Sequence, residues 1–437
     1  MVATDFRTLA QVTANRSGFH RPVEARIDVS WSQQLFATLY LLGTMGLFGS
    51  LATIAGLERA GALMFGPLYL WLLMNIFSAA YRGGRLSAQN FLYFTWLIFG
   101  LLLSAVFCYK PLGAIFNVIL LFFDILFAFW LFQVFDRNSF LRILVLSVGV
   151  MFLLSLPAGL INPEYIIYRD PLDRANVLGF QNIKGLFPHK IHAGIFYGIA
   201  FAASLALYRL EARRLYLAVA GLFFIGMAAS GSSVALVATV LGGGLAWGLM
   251  TTVKRLGWFF VSYLIGWLLI MVVAIGISGI YPDLMRALGR DPSMTGRVPI
   301  WQYAIQSIIN NPLIGLGYGV YFDPDLNSPA QGLWRSLLWY TPPSFHSGYL
   351  QVLAEVGVVG SVGFFAVLIG AVRRCVRADD FFALWIVMVA VVTNAGAALF
   401  VTHRCLPLLL LIYFAFRADL GATKSPSQSA QRPALRR

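Results

Sequence analysis

Beyond residue 32 the chain is a succession of apolar runs bounded by short polar or basic stretches. Most runs approach or exceed the roughly 18 residues that mark a bilayer-spanning helix. The pattern predicts about twelve spans, at 33–57, 60–81, 89–109, 113–135, 140–161, 191–210, 214–230, 233–250, 258–281, 348–371, 380–401 and 404–418, the seventh and the last being short. The expected fold class is therefore an all-α polytopic membrane protein. Residues 1–32 read as a polar arm without the apolar core of a signal peptide. Residues 419–437 read as a basic, Ser/Pro-rich tail of the kind that stays disordered.

Two long intervals interrupt the alternation, at about 162–190 and 282–347. Long loops in compact proteins are usually functional or disordered. These are rich in aromatic residues, glycine and proline with interspersed charges, which favours order and function. Inside the second, "IWQYAIQSIINN" (Ile300–Asn311) carries apolar residues at 300, 301, 304, 305, 308 and 309, the spacing of a short helix lying along a membrane surface. "NPLIGLGYGVYF" then supplies a proline and three glycines, a turn-rich stretch.

Composition agrees with the pattern: 59% of residues are hydrophobic and 11% charged, with mean hydropathy +0.76. Soluble domains carry about 25% charge, and no polar segment here is long enough to bury a core of its own. The net charge of +14 admits nucleic-acid binding, but basic loops that follow the positive-inside rule explain it better. With the N-terminus inside, the cytoplasmic segments hold Arg82, Arg85, Arg137, Arg142, Arg209, Arg213, Arg214, Lys254, Arg255, Arg373, Arg374 and Arg377. The basic residues of the N-terminal arm and the C-terminal end fall on the same side, and of the eleven left outside most lie in the two long outer loops, where the rule gives them no reason to be. An anionic head group or diphosphate is a natural partner for them. Cys108, Cys375 and Cys405 are scattered, with neither metal spacing nor a disulfide framework.

The second loop ends in "FHSGYLQVLAEVGVVG". A helix starting near Ser347 places Ser347, Gln351 and Glu355 at successive four-residue steps on one face. It also sets Glu355 about two turns into the membrane, where a carboxylate must face protein or water. Gly357 and Gly360 would let a neighbouring helix approach. His346 at the outer end suits proton transfer near neutral pH; read structurally, it is an interfacial histidine followed by an N-capping serine. In "PHKIHAGIFYG", His189, Lys190 and His192 stand at the mouth of the sixth span, where Lys190 either binds an anion or snorkels to the interface. Arg297, in "TGRVPIW", is either a solvated loop charge or an outer-face cation. The turn "ASGSSVA" offers hydroxyls for backbone or ligand. Asp323 and Asp325 are spaced like a metal-binding pair but stand alone. No phosphate-cradling glycine loop and no HExxH occurs, which argues against ATP hydrolysis and metal-dependent nucleotide-sugar chemistry.

"TGRVPIWQYAIQSIINNPLIGLGYGVYF" followed by "HSGYLQVLAEVGVVG" resembles the O-antigen ligase/polymerase (Wzy–WaaL) superfamily. Its pattern, His-[Asn/Ser/Gln], nine residues, Gly-x-x-[Gly/Thr/Tyr], is met by His346, Ser347, Gly357 and Gly360. "LFPHK" is similar to the Phe-x-His-Lys element of exopolysaccharide polymerases. The resemblance covers mainly residues 180–365. It implies a GT-C-like membrane glycosyltransferase of the inner membrane, with both termini cytoplasmic and the active site facing the periplasm. It further implies inverting transfer from an undecaprenyl diphosphate-linked oligosaccharide without metal or other cofactor. His346 would then be the base on the acceptor hydroxyl. Arg297, Lys190, Arg335 and His189 would bind the diphosphate or donor, with Arg169 and Arg174 as weaker candidates. Ser347, Gln351, Glu355 and Tyr318 would support the site or the acceptor. Expected partners are the lipid-linked glycan, membrane lipid, a chain-length regulator and a flippase, with no nucleic acid. One departure stands out: where many relatives carry an arginine after a Ser-x-Ser turn, this chain has "SGSSVALV". "LFPHK" and "TGRVPIW" favour a polymerase over a ligase that transfers to lipid A-core or protein. A transporter is the reading from another class, and no internal repeat supports it.

Overall fold

The computed structural model describes residues 29–57, 60–81, 88–169, 181–277, 297–337, 341–399 and 403–416. Helices α1 (Trp31–Thr44) and α2 (Leu47–Ile54) form a pair bent by 68°. They are followed by α3 (Ala60–Leu63), α4 (Phe65–Tyr81), α5 (Ala88–Val106), α6 (Pro111–Val134) and α7 (Arg137–Ile161). After the first loop come α8 (Lys190–Glu211), α9 (Arg214–Ala229) and α10 (Ser233–Ile277), the last broken at Gly257. The second loop contains α11 (Arg297–Asn310) and α12 (Ala330–Leu337); then follow α13 (Gly348–Arg377), α14 (Phe381–Gly396) and α15 (Leu406–Phe416). Local chemistry explains several starts: Ser30 and Gln33 make a capping box on α1, Asp136 caps α7, Asp380 caps α14 and Pro111 opens α6.

Every expected span falls on a helix, and among the described residues there is no strand, only a single bridge between Ile167 and Ile183. The count of twelve is not confirmed. Among the described residues five helices are long and apolar enough to cross a membrane by themselves, and six if the bent pair is one span. The others are shorter: α15 has 11 residues, or about 16 Å at 1.5 Å per residue, roughly half the hydrocarbon thickness. The N-terminal arm, the tail, Arg174 and residues 278–296 lie outside the described residues.

One large apolar core joins α1 and α4–α10 with α13–α15, and most of its side chains are fully buried. A second, smaller cluster forms a cap over the start of α13: Ile300 and Ala304 of α11, Ala330 and Leu333 of α12, Tyr321 and Phe345. The surface helix predicted over 300–311 is α11, but its apolar stripe is divided. Ile300 and Ala304 pack inward on this cap, while Ile305 and Ile309 are exposed. The cap is tied to the bundle by ion pairs and hydrogen bonds. Lys110 reaches Asp323 at 2.8 Å and Asp325 at 3.8 Å, and the Tyr109 hydroxyl donates to the Val320 carbonyl at 2.8 Å. The two aspartates that resemble a metal pair are thus anchors for the loop. At the opposite end of the bundle, Arg137 pairs with Asp380, Arg142 with Glu211 and Lys254 with Asp379.

Candidate active site

The cap holds His346 immediately before α13. Its backbone is left-handed (φ 51°), a conformation that costs a non-glycine residue of order 1 kcal/mol and more and persists only where surroundings enforce it. The surroundings are visible. The Phe345 ring is fully buried against Tyr321 and Phe322, and its carbonyl accepts from the Trp301 indole at 3.0 Å. The Phe345 N–H donates to Gln351 Oε1 at 3.0 Å, and the His346 N–H donates to Ser344 Oγ at 3.2 Å. Ser347 caps α13 by accepting from the Leu350 N–H, as expected from its type and position.

Arg297 opens α11 one turn before Trp301, so both lie on the same side of the helix that faces His346. A Cβ added at Gly396, the last residue of α14, would meet Arg297 Nη1 at 3.4 Å and Val234 Cγ1 at 3.5 Å. The guanidinium therefore sits where α11, the end of α14 and the start of α10 converge. Its charge reaches His346. Burial first, and then Arg297, push the imidazole down to about 4. A neutral histidine beside a fixed cation is the arrangement a general base beside an anionic leaving group needs.

The Ser-rich turn lies next to this point. Ser230 Oγ donates to the Met227 carbonyl at 2.6 Å and accepts from the Ser232 N–H at 3.3 Å, while Ser232 Oγ accepts from the Ala235 N–H. These hydroxyls serve the backbone. Helix α8 passes beside them, since a Cβ at Gly194 would meet Ser230 Oγ at 2.7 Å. Lys190, one turn earlier, is directed to the same end of the bundle, its ammonium 5.4 Å from the centre of the Tyr168 ring. His189 caps α8 through Nδ1, which accepts from the Ile191 N–H at 3.1 Å. His192 keeps a buried Nδ1 with no hydrogen bond among the described residues. Arg335 is exposed on the last turn of α12 and makes no ion pair among the described residues. Arg169 pairs with Glu164 at 2.5 Å.

Helix α13 departs from the expected continuous span. It breaks at Gly357 (φ 61°, ψ −169°), and a glycine-rich strap, residues 312–319, runs against the break, its first half filling it. The Ala354 and Glu355 carbonyls accept from the Leu316 and Gly317 N–H groups at 3.0 and 2.8 Å. The Val358 and Val359 N–H groups donate to the Pro312 and Leu313 carbonyls at 2.9 and 3.0 Å. Four of the backbone groups beside the break are thereby satisfied. Gly357 is thus a helix breaker rather than a packing residue, because a Cβ there would stand 2.3 Å from the Leu313 carbonyl oxygen. Gly360 is the packing glycine, placed against Gly100 of α5. Tyr318, within this strap, is fully buried.

Two further groups become plain only in the structure. Trp301 counted only as one of the apolar positions of α11. Asp124, inside α6, accepts from the Tyr40 hydroxyl at 2.9 Å and from the Arg404 N–H at 2.6 Å. Arg404 in turn donates to the Tyr69 hydroxyl at 2.8 Å and stacks over Phe65. A lone aspartate in an apolar run was the available signal.

The fold and site define a multi-pass helical membrane protein in which a histidine and an arginine meet where a loop-built cap joins the helix bundle. Residues 217–365 match the family described as O-antigen ligase. The chain is also similar to the exopolysaccharide production protein ExoQ of Rhizobium meliloti (strain 1021), 26% identical over 261 residues, 56% of this chain and 57% of that protein. These matches support the O-antigen ligase/polymerase superfamily for this chain.

Proposed function

We propose that the protein is a GT-C-like glycosyltransferase of the inner membrane that joins undecaprenyl diphosphate-linked oligosaccharide units on the periplasmic side, without a metal. The observation that carries this is His346, held in a left-handed turn beside Arg297 within the segment matching the O-antigen ligase family. His346 takes the proton of the acceptor hydroxyl as its oxygen attacks the anomeric carbon from the face opposite the diphosphate. The C–O bond to the diphosphate breaks with inversion, and the leaving group departs as an anion. Arg297 balances the charge that develops on it, and Lys190, beside the Ser-rich turn, supplies the second cation that the turn itself lacks. With its charge neutralised, the diphosphate needs no proton. A flippase would deliver the units and a chain-length regulator would set their number.

The test is incubation of purified protein with an undecaprenyl diphosphate oligosaccharide, with and without lipid A-core, in excess chelator. A ladder of lipid-linked products without core is the expected result. The description of the matching family favours a second reading, ligation, for which a single transfer to core is the outcome. Loss of activity in chelator would overturn the metal-free mechanism.

The depressed histidine sets the pH dependence. A folded-state pKa of about 4 against about 6.5 when unfolded means that the native protein binds fewer protons through that window. The contribution of His346 to stability is therefore present above about 6.5 and is lost as pH falls towards 4. The same shift keeps the base neutral, so the acid limb of kcat/KM is expected well below 6.5. In Arg297→Ala the limb moves upward, because one of the two causes of the depression is removed. A wild-type limb at 6.5, or one unmoved in the variant, would contradict this assignment.

A further inference from the structure

Glu355 is 3% exposed and lies nine residues after the candidate base, beyond direct contact with a reacting group. Both of its oxygens are nonetheless committed. Oε2 accepts from the Gly319 N–H at 2.9 Å, and Oε1 accepts from Gln351 Nε2 at 2.5 Å. Gln351 Oε1 in turn accepts from the Phe345 N–H at 3.0 Å. The result is a chain from the glycine-rich strap, through two side chains one turn apart on α13, to the peptide that immediately precedes His346. The Glu355 carbonyl adds two anchors, accepting from Ser104 Oγ at 2.6 Å and from the Gly317 N–H at 2.8 Å.

We infer that Glu355 is a positioning residue that, through Gln351, sets the left-handed turn carrying His346 and registers it against the 312–319 strap. This rests on the proposed role of His346 but deepens it by naming what holds the base in place. The parity of the chain explains why a carboxylate is required. Both ends are backbone N–H donors, Phe345 and Gly319. Two amide side chains between two donors always leave one N–H facing another, whichever way each amide is turned. One carboxylate and one amide satisfy every contact. A buried carboxylate is costly, and here the two donors, Gly319 N–H and Gln351 Nε2, offset that cost.

The same parity supplies the experiment. Glu355→Gln breaks the chain, whereas the exchange Gln351→Glu/Glu355→Gln restores it with the order reversed. The introduced carboxylate then accepts from Phe345 and from the introduced amide, whose oxygen accepts from Gly319. Amide hydrogen exchange over residues 343–350 reads the turn directly, and kcat with a lipid diphosphate-linked oligosaccharide reads the base. In Glu355→Gln, exchange is expected to rise about tenfold, the worth of one hydrogen bond. The same variant should lower kcat about 10- to 100-fold with KM nearly unchanged, as for a misplaced catalytic group. In the exchanged pair both return to near the wild-type values, and unfolding temperatures confirm that all three proteins are folded. Unchanged exchange in the single variant overturns the inference. So does raised exchange with wild-type kcat, or an exchanged pair that regains protection without regaining kcat. If the wild-type protein transfers no glycan, the functional reading falls, and the exchange measurements still decide whether Glu355 holds the turn.

Discussion

Replacing His346 by alanine is expected to lower the rate of chain extension by about 10²- to 10⁴-fold, the range for loss of a general base, while the protein inserts and folds normally. The side chain is half-buried at the edge of the cap, and its turn is held by neighbours: Phe345 in an aromatic cluster, the Trp301 indole on the Phe345 carbonyl, and the Ser347 cap. None of these contacts uses the imidazole. The His346→Asn variant tests the same point with a residue that tolerates left-handed backbone. Assay of lipid-linked products by gel ladder, alongside the unfolding temperature in detergent, separates chemistry from folding. A His346→Ala protein that polymerises at the wild-type rate would remove His346 from the mechanism.

Gly357→Ala is expected to have the largest effect on folding. The backbone there, φ 61° with ψ −169°, is open almost only to glycine, and an added Cβ would stand 2.3 Å from the Leu313 carbonyl oxygen. The cost of the conformation alone is about 1–3 kcal/mol. Moving the strap aside also endangers the four backbone hydrogen bonds that fill the break, so the total is expected to exceed about 3 kcal/mol. The readout is a lowered unfolding temperature or failure to recover folded protein. Gly149, whose added Cβ would meet nothing within 4 Å, is the control: Gly149→Ala should behave as wild type. If Gly357→Ala is as stable as the control, the break at Gly357 is not as described.

Much of the site was legible because its relations are local. Ser347, Gln351 and Glu355 are spaced at four-residue steps, and the structure uses those steps as a cap and a hydrogen-bonded pair. His346 and Arg297 stood out as polar residues bordering apolar runs, and they come together. The fate of Gly357 was not legible. A glycine in an apolar helix reads equally as a contact point or a break, and the groups that decide between them lie some 40 residues upstream, at Pro312–Gly317. Asp323 and Asp325 suggested a metal pair for the same reason: their partner, Lys110, is 213 residues away in sequence. Asp124 and Arg404 are separated by 280 residues, so no local pattern joins them.

The amino-acid sequence by itself determined the helical, membrane-embedded character of the chain, the places where its helices begin, and the candidate base with its polar stripe. Apolar periodicity, end-capping and four-residue spacing act within one or two turns, and each leaves its mark in neighbouring residues. Only the tertiary structure decided that α13 breaks at Gly357, that the 312–319 strap fills the gap, and that Glu355 joins that strap to the turn before His346. Among the described residues it also shows several expected spans as apolar helices of 10–17 residues. Those outcomes depend on which backbone groups find partners across long sequence separations. A buried N–H or carbonyl must be satisfied by whatever the fold brings within about 3 Å.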